Sequence, residues 1–595
     1  MSDILATAEE RFTHVSRNSS VMAVGTMGSR VLGFVRTFLF ALIVQASVAS
    51  DSFNQANNLP TVIYGIIATG VVTGILIPQI TKAMKRPDGG EDFVNRLITL
   101  ALLVILAATV VFTLATPWLI NLIVAAKTNV AVPGYLHLTI LLGYWCMPQL
   151  FFYGLYAVLG QVLNARGHFT AYAWAPAWAN LVQIAGLVAF WILWGYQPDP
   201  SSWSSAMVVM LGASTTLGIA VQGLCLIWPL YRDGFRFHPR FGWRGYGFGE
   251  VTRMTFWTLA AVLFSGVQSM MLTWMATAMR AGVPEYAGYG TMQYSVTLFV
   301  IPVSLIMVSV VTALFPAMST AWRDGDNDRM KNLVRQGLMM PSVLIIPASA
   351  AIIGLGMPLI RTLFGALSTT EATNVWWVTS AYCLGTWAFA ISSLKQRYYF
   401  AKQNGWMNFW LVVVLTGTQL LVSGAALLWL PGRYGVLFIA IGQTVGAVIT
   451  ACLFLWLMHR EMGSYGLRGI VWLWIKVTVA SLAAALAAWD VTLGMSYIST
   501  RRLFAPVEAI AGVIVFTLVY VAVAALLRVT QVTAVVGVVV RRLRGRRPSS
   551  EPSAPVTPEP PAPAPLTPPT PPRPPSGAGP SDDLDKTSLR GLNRA

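Results

Sequence analysis

Residues 97–124 read LITLALLVILAATVVFTLATPWLINLIV, a stretch without one Asp, Glu, Lys or Arg. As a helix rising 1.5 Å per residue it outreaches the ~30 Å hydrocarbon core of a bilayer. It offers no polar face to water, so it is read as a transmembrane span. Runs of the same kind recur near residues 20–45, 58–80, 136–162, 172–195 and 205–230. Beyond a basic stretch they continue near 254–278, 290–316, 340–364, 375–394, 408–430, 434–458, 467–489 and 507–527. Together these runs predict fourteen helices.

The composition agrees. Of 595 residues 55% are hydrophobic and 11% charged, where a soluble domain carries about 25% charged residues, and the mean hydropathy is +0.63. A soluble enzyme is excluded. The net charge of +17 forms no basic stripe interleaved with exposed aromatics, so nucleic acid is not an expected partner. Cys146, Cys225, Cys383 and Cys452 stand singly inside apolar runs, and His14, His137, His168, His238 and His459 are scattered. That spacing suits neither a disulfide framework nor a zinc site, and no metal or other cofactor is expected. The polar start, and Arg30 and Arg36 inside the first run, do not read as a cleavable signal peptide.

Lys and Arg collect in short cytoplasmic loops, which turns the excess charge into a topology. With the N-terminus inside, the inner loops carry Lys82, Lys85, Arg86 and Arg96; Arg166; Arg232, Arg236, Arg240, Arg244 and Arg253; Arg323, Arg329, Lys331 and Arg335; Lys395, Arg397 and Lys402; and Arg460 and Arg468. The outer loops carry only Lys127, Arg280, Arg361, Arg433, Arg501 and Arg502. Both termini are therefore expected in the cytoplasm of a multi-pass plasma-membrane protein. The expected division is a cytoplasmic N-terminus (1–19), an N-lobe of six helices (20–230), a basic linker (231–253), a C-lobe of six helices (254–458), a last helix pair (459–527), and a basic then proline-rich tail (528–595). Residues 71–81, VVTGILIPQIT, and 310–320, VVTALFPAMST, match with a one-residue gap at the end of the second and eighth spans. Both copies run the same way, which implies parallel halves about an axis along the membrane normal. In the tail, residues 548–580 hold fifteen prolines and are expected to be extended and disordered. Thr557, Thr567 and Thr570, each followed by proline, offer docking or phosphorylation sites for a cytoplasmic partner; a plain spacer is the other reading.

No Asp or Glu falls in the middle of a span; Asp51, Glu250, Glu285, Asp490 and Glu508 sit at edges. The parts of a buried carboxylate relay or of a membrane glycosyltransferase are thus missing. The charges within spans are cationic: Arg30 and Arg36 in the first helix and Lys476 in the thirteenth. An arginine at a helix centre costs roughly 3 kcal/mol on insertion scales, so such residues face a water-filled cavity or a partner. A guanidinium fork matches phosphate, which makes an anionic substrate the natural counterpart. Ser29 shares a helix face with Arg36, and Arg30 with Gly33, so the two arginines point about 120° apart unless the helix bends at Gly33. Arg36 and Lys476 each have a plainer reading, snorkelling to an interface. The polar run from Asp51 through Asn58 to Pro60 either starts and caps the second helix or gates the outer mouth. Gln268, Gln293 and Thr297 either contact substrate or bond between helices.

The stretch Gly28-Ser29-Arg30-Val31-Leu32-Gly33-Phe34-Val35-Arg36, followed by Asp51 and Leu59-Pro60, resembles the signature of the MurJ (MviN) lipid II flippases of the MOP exporter superfamily. The resemblance implies two lobes in a V around a cationic cavity, with the last two helices making a groove for a polyprenyl tail. It implies that Ser29, Arg30, Gly33 and Arg36 line the cavity, that the arginines hold the diphosphate of lipid II, and that Asp51 acts near the outer gate. Two arginines common in the family are replaced here, by Tyr64 or Gly65 in the second helix and by Thr297 in the eighth. The expected function is movement of lipid II from the inner to the outer leaflet by alternating access, with lipid II and membrane lipids as partners and either a coupling ion or the membrane potential as drive. The rival readings are another MOP exporter, for a different polyprenyl-linked glycan or a drug, and a non-transporting scaffold for cell-wall synthesis proteins.

Overall fold

The computed structural model describes residues 25–68, 91–124, 132–166, 168–242, 253–280, 283, 285–498 and 504–532. Among them every long element is a helix. The N-lobe holds α1 (Gly25–Val44), α2 (Val48–Ile67), α3 (Glu91–Leu114) and its continuation α4 (Thr116–Ile123), α5 (Tyr135–Cys146) and its continuation α6 (Gln149–Ala165), α7 (Phe169–Trp194), and α8 (Ser205–Leu224) with the short α9 (Ile227–Arg232). The C-lobe holds α10 (Arg253–Arg280), α11 (Tyr289–Arg323), α12 (Asn327–Leu363), α13 (Thr369–Leu384) and α14 (Thr386–Ala401), α15 (Gly405–Trp429) and α16 (Gly435–Met462). The last pair is α17 (Leu467–Ile498) and α18 (Ala505–Leu526).

Twelve stretches among the described residues are long and apolar enough to cross a membrane. Of the other two predicted spans, the second (58–80) falls within the described residues only as far as residue 68, as the end of α2, and the tenth is broken at Gly385 into two sixteen-residue helices, α13 and α14. Proline marks two of the other breaks, Pro117 at the start of α4 and Pro148 between α5 and α6. Lipid-facing side chains such as Leu114, Ile192, Leu421 and Leu518 are more than three-fifths exposed, as a protein solvated by hydrocarbon requires.

The second helix starts ten residues earlier than the apolar run does. Ser47 caps it by accepting from the Ser50 N–H at 3.3 Å, and Asp51 lies in the first turn, where the helix dipole favours a negative charge. The polar run is therefore helix, and Pro60 is carried inside it. The ninth helix likewise begins at Asn327, so Arg329, Lys331 and Arg335 sit on a helical extension and not in a loop. The first half of the linker is folded onto the N-lobe: the His238 N–H donates to Asn95 and the Arg240 N–H to Thr99, both at 3.1 Å. Arg166 pairs with Asp233 at 2.9 Å. That guanidinium, and then His168, hold the Asp233 carboxyl below the usual carboxylate range.

An apolar cluster joins the lobes on the side where α1 ends, with Phe40, Ala41 and Phe53 meeting Tyr294, Leu298, Ile360 and Phe364. The last pair rests on α12: the Tyr520 hydroxyl donates to the Val343 carbonyl at 2.9 Å, and Trp489 stacks on Trp376 beside Gly356, whose φ of +53° kinks α12. The first copy of the predicted repeat, the Arg541–Arg547 cluster and the proline-rich tail lie outside the described residues.

Candidate functional site

Asn180 and Gln183, one turn apart on α7, share a face, and both reach α1. The Asn180 amide donates to the Ser29 carbonyl at 3.0 Å. Three residues on, Gln183 accepts from Arg36 Nη1 at 2.7 Å while its own amide donates to the Thr215 carbonyl of α8 at 3.1 Å. Glycine at 218 is required here, because a Cβ would stand 2.6 Å from Gln183 Cγ. One chain of hydrogen bonds thus ties α1, α7 and α8 and aims a guanidinium at the seam between the lobes.

The seam encloses a cavity of about 200 Å³. From the N-lobe come Arg36, Thr37, Asn54, Asn57, Asn58, Thr61, Gln183 and Thr215, and from the C-lobe Gln293, Tyr294 and Thr297, with Phe40, Phe53, Leu187 and Leu211 completing the wall. None of these lining residues is acidic. A single cation set among neutral amides and hydroxyls can hold an anionic group and offer donors and acceptors to the polar atoms around it.

Towards the α1–α2 turn the seam is closed by charge. Arg280, at the end of α10, donates from Nη1 to Asp51 Oδ2 at 2.7 Å, and both side chains are almost completely buried. The Asp51 carboxylate also accepts from the Gly290 N–H, and Arg280 Nη2 donates to the Ala46 carbonyl at 3.4 Å. Glycine permits this approach: a Cβ at Gly288 would collide with both Asp51 and Arg280, and one at Gly290 would lie 2.6 Å from Ser50 Oγ. Around the pair, the Tyr294 hydroxyl donates to the Gln45 carbonyl at 2.6 Å and the Ala46 N–H donates to Glu371 at 3.1 Å. Gln45 turns the chain there with a φ of +54°. Every one of these bonds crosses from one lobe to the other.

The structure brings together Arg36, Asn58, Gln293 and Thr297 in the cavity wall. Ser29, Arg30 and Gly33 lie nearer the start of α1 and outside that lining. α1 is one helix from Gly25 to Val44, and buried Arg30 Nη1 has no hydrogen-bond partner among the described residues. Asp51 lies in the closed seam, whereas Asn58, two helical turns on, faces the cavity. Gln268 donates to Gln419 at 2.6 Å inside the C-lobe, and Lys476 lies over the Trp472 ring of α17; neither lines the cavity. Sequence reading missed Arg280, counted as an outer-loop charge, and Gln183, hidden among the apolar residues of α7. The two glycines in Gly288-Tyr289-Gly290, at the start of a long helix, were the available signal for a close approach.

The family model described as "Lipid II flippase MurJ" matches residues 40–539, a range that begins just after the Gly28–Arg36 motif. Among curated relatives, the "Probable lipid II flippase MurJ" of Rhizobium tropici is 25% identical over 394 residues, covering 64% of this chain and 69% of the relative. The protein of the same name from Vibrio cholerae is 23% identical over 480 residues, covering 78% and 86%. A solved structure titled "Lipid II flippase MurJ, inward closed conformation" superposes with a TM-score of 0.64 at 17% identity, covering 85% of this chain and 99% of that one. An inward-facing multidrug resistance MATE family transporter of the MOP superfamily has a TM-score of 0.53 at 13% identity, covering 73% and 95%, so the fold is shared across exporters. The chain belongs to the lipid II flippase MurJ family, a family of multi-pass bacterial membrane transporters and not of enzymes.

Proposed function

We propose that this chain moves lipid II, a polyprenyl-diphosphate-linked disaccharide-pentapeptide, from the inner to the outer leaflet by alternating access. The observation that carries the reading is the Arg36 cavity between two lobes, sealed at one end by the buried Asp51–Arg280 pair. Arg36 meets the diphosphate, the amides and hydroxyls around it meet sugar and peptide, and the polyprenyl chain stays in lipid. With the α1–α2 turn on the outer side, as the charge bias of the loops assigns it, the sealed seam is the outer gate. Release then requires Asp51 and Arg280 to part. The empty cavity is cationic, so the membrane potential, worth about 2.3 kcal/mol per charge per 100 mV, supplies drive for its return; exchange of a coupling ion is the other source.

The test is depletion of the native protein in cells carrying Arg36→Ala at normal membrane abundance, with lipid II in the outer leaflet as readout. Charge-assisted hydrogen bonds of this kind are worth about 1.5–3 kcal/mol, so delivery should fall on the order of 10- to 100-fold. Delivery at the parental rate overturns the reading. A deletion after Arg547 run alongside separates the scaffold alternative, in which the tail matters and Arg36 does not.

A further inference from the structure

The start of α17 carries a charged surface that neither the cavity nor the gate uses. Arg468, Trp472 and Lys476 follow at four-residue spacing and so line one helix face. The Lys476 ammonium lies 5.9 Å from the centre of the Trp472 ring, which is 59% exposed. From α12, Arg335 reaches the same corner: its guanidinium carbon is 3.7 Å from where a Cβ on Gly466 would stand, and its Nη2 is 3.9 Å from one on Gly469. Neighbouring Lys402 is neutralised by Glu461. Arg335, Arg468 and Lys476 have no such carboxylate among the described residues.

An open recess of about 790 Å³ lies beside them, lined by Leu467, Arg468, Gly469, Val471, Trp472 and Ile475. From it an exposed aliphatic row, Val471, Ile475, Val479, Leu482 and Leu486, runs along the helix at intervals of three and four residues. Arg468 and Lys476 are eight residues apart, about 12 Å along the axis, while the polar layer on one side of a bilayer is roughly 5–7 Å deep. Lys476 therefore reaches outward from the hydrocarbon edge and Arg468 inward from the water, with Arg335 between helices.

We propose that this corner binds one anionic phospholipid of the cytoplasmic leaflet. Arg335, Arg468 and Lys476 hold its phosphate, Trp472 packs against its glycerol region, and an acyl chain lies along the row from Val471 to Leu486. A soluble anion has no use for the aliphatic row. A zwitterionic lipid would bring its own cation against three others.

The full chain is to be released from nanodiscs of phosphatidylcholine doped with phosphatidylglycerol, and the retained lipids counted by native mass spectrometry. The parent should keep one phosphatidylglycerol. Arg468→Gln should lower retention about fivefold, the effect of one basic residue near an anionic surface, and the triple variant Arg335→Gln/Arg468→Gln/Lys476→Gln should abolish it. The charge-matched control Arg323→Gln/Arg329→Gln/Lys331→Gln should retain it. Trp472→Ala, which changes no charge, should lose part of the retention even where the triple variant does not insert. Full retention by the triple variant or by Trp472→Ala, equal loss in the control, equal retention of phosphatidylcholine, or displacement by inorganic phosphate overturns the proposal. Displacement by undecaprenyl phosphate overturns it too, by assigning the surface to the substrate's tail.

Discussion

The two lobes solve the same packing problem with different chemistry. In the N-lobe, the first, fifth and sixth spans are tied by Arg36, Gln183 and the Thr215 carbonyl. In the C-lobe, the seventh, eleventh and twelfth are tied by Gln268, Gln419, and the Gln443 amide with the Ile439 carbonyl. Each network is a glutamine-centred bridge over a glycine, Gly218 in one lobe and Gly442 in the other, where a Cβ would press on the central glutamine's helix. The difference is at the head. A guanidinium cannot be satisfied by one amide, so Arg36 must face the cavity. An amide can close on its neighbours, and Gln268 does. Similar glutamine-centred networks thus end in a cavity-facing cation in one lobe and in an internal amide bond in the other.

The largest effect is expected at the buried ion pair that joins the two lobes. Arg280→Gln leaves Asp51 buried and unpaired, a change that costs about 3–5 kcal/mol in buried ion pairs, so the gate should open. Spin labels at Pro133→Cys and Ser368→Cys, on opposite lobes, should show a longer distance in this variant, and the swap Asp51→Arg/Arg280→Asp should restore the short one. An unchanged distance would mean that the apolar cluster around Phe40 and Phe364 closes the gate alone. Next, Arg36→Gln makes the N-lobe network resemble that of the C-lobe. Transport should fall on the order of 10- to 100-fold with unchanged thermal stability, since an amide can still meet Gln183. A stability loss equal to the activity loss would make Arg36 structural. The reciprocal change, Gln268→Leu, should leave transport within about twofold and remove about 1 kcal/mol of stability, the usual net worth of a neutral hydrogen bond. A transport defect with normal stability would instead put Gln268 at the substrate.

The smallest effect concerns the corner at Asp233. Its carboxyl is held below the usual range by Arg166 and then His168, so the stabilisation is complete above an ordinary carboxylate pKa of about 4. It fades as the pH falls through the depressed value. Asp233→Asn should lower the melting temperature slightly at neutral pH and match the parent in acid. A gap that persists in acid would assign the loss to packing.

Much of the fold was legible in the sequence because bilayer insertion is governed by length and hydropathy, properties of a segment taken alone. Residues 97–124 need no partner to be read as a span, and Arg36 needs none to be read as an anomaly. What failed were judgements of neighbourhood. The start of α2 looked to lie at the beginning of the apolar run, ten residues late, because its Asp51 and asparagines are at ease only against the opposite lobe and the cavity. Arg280 looked like a loop charge because its partner lies 229 residues away. Of Arg30 and Arg36, it was Arg36 that had the plainer reading of a snorkelling side chain, and the packing of α1 on α7 puts Arg36 in the cavity wall.

By itself the sequence determined that this chain is a helical membrane protein, that its Lys and Arg residues segregate between alternate loops, and that it carries cations where hydrocarbon forbids them without water or a partner. The tertiary structure decided which of those cations faces a cavity and which lies on an exposed helix face, and it paired Arg280, a charge the sequence placed in a loop, with buried Asp51. The physical reason is that the cost of burying a charge is set residue by residue, whereas its relief depends on groups that the chain brings together only by folding.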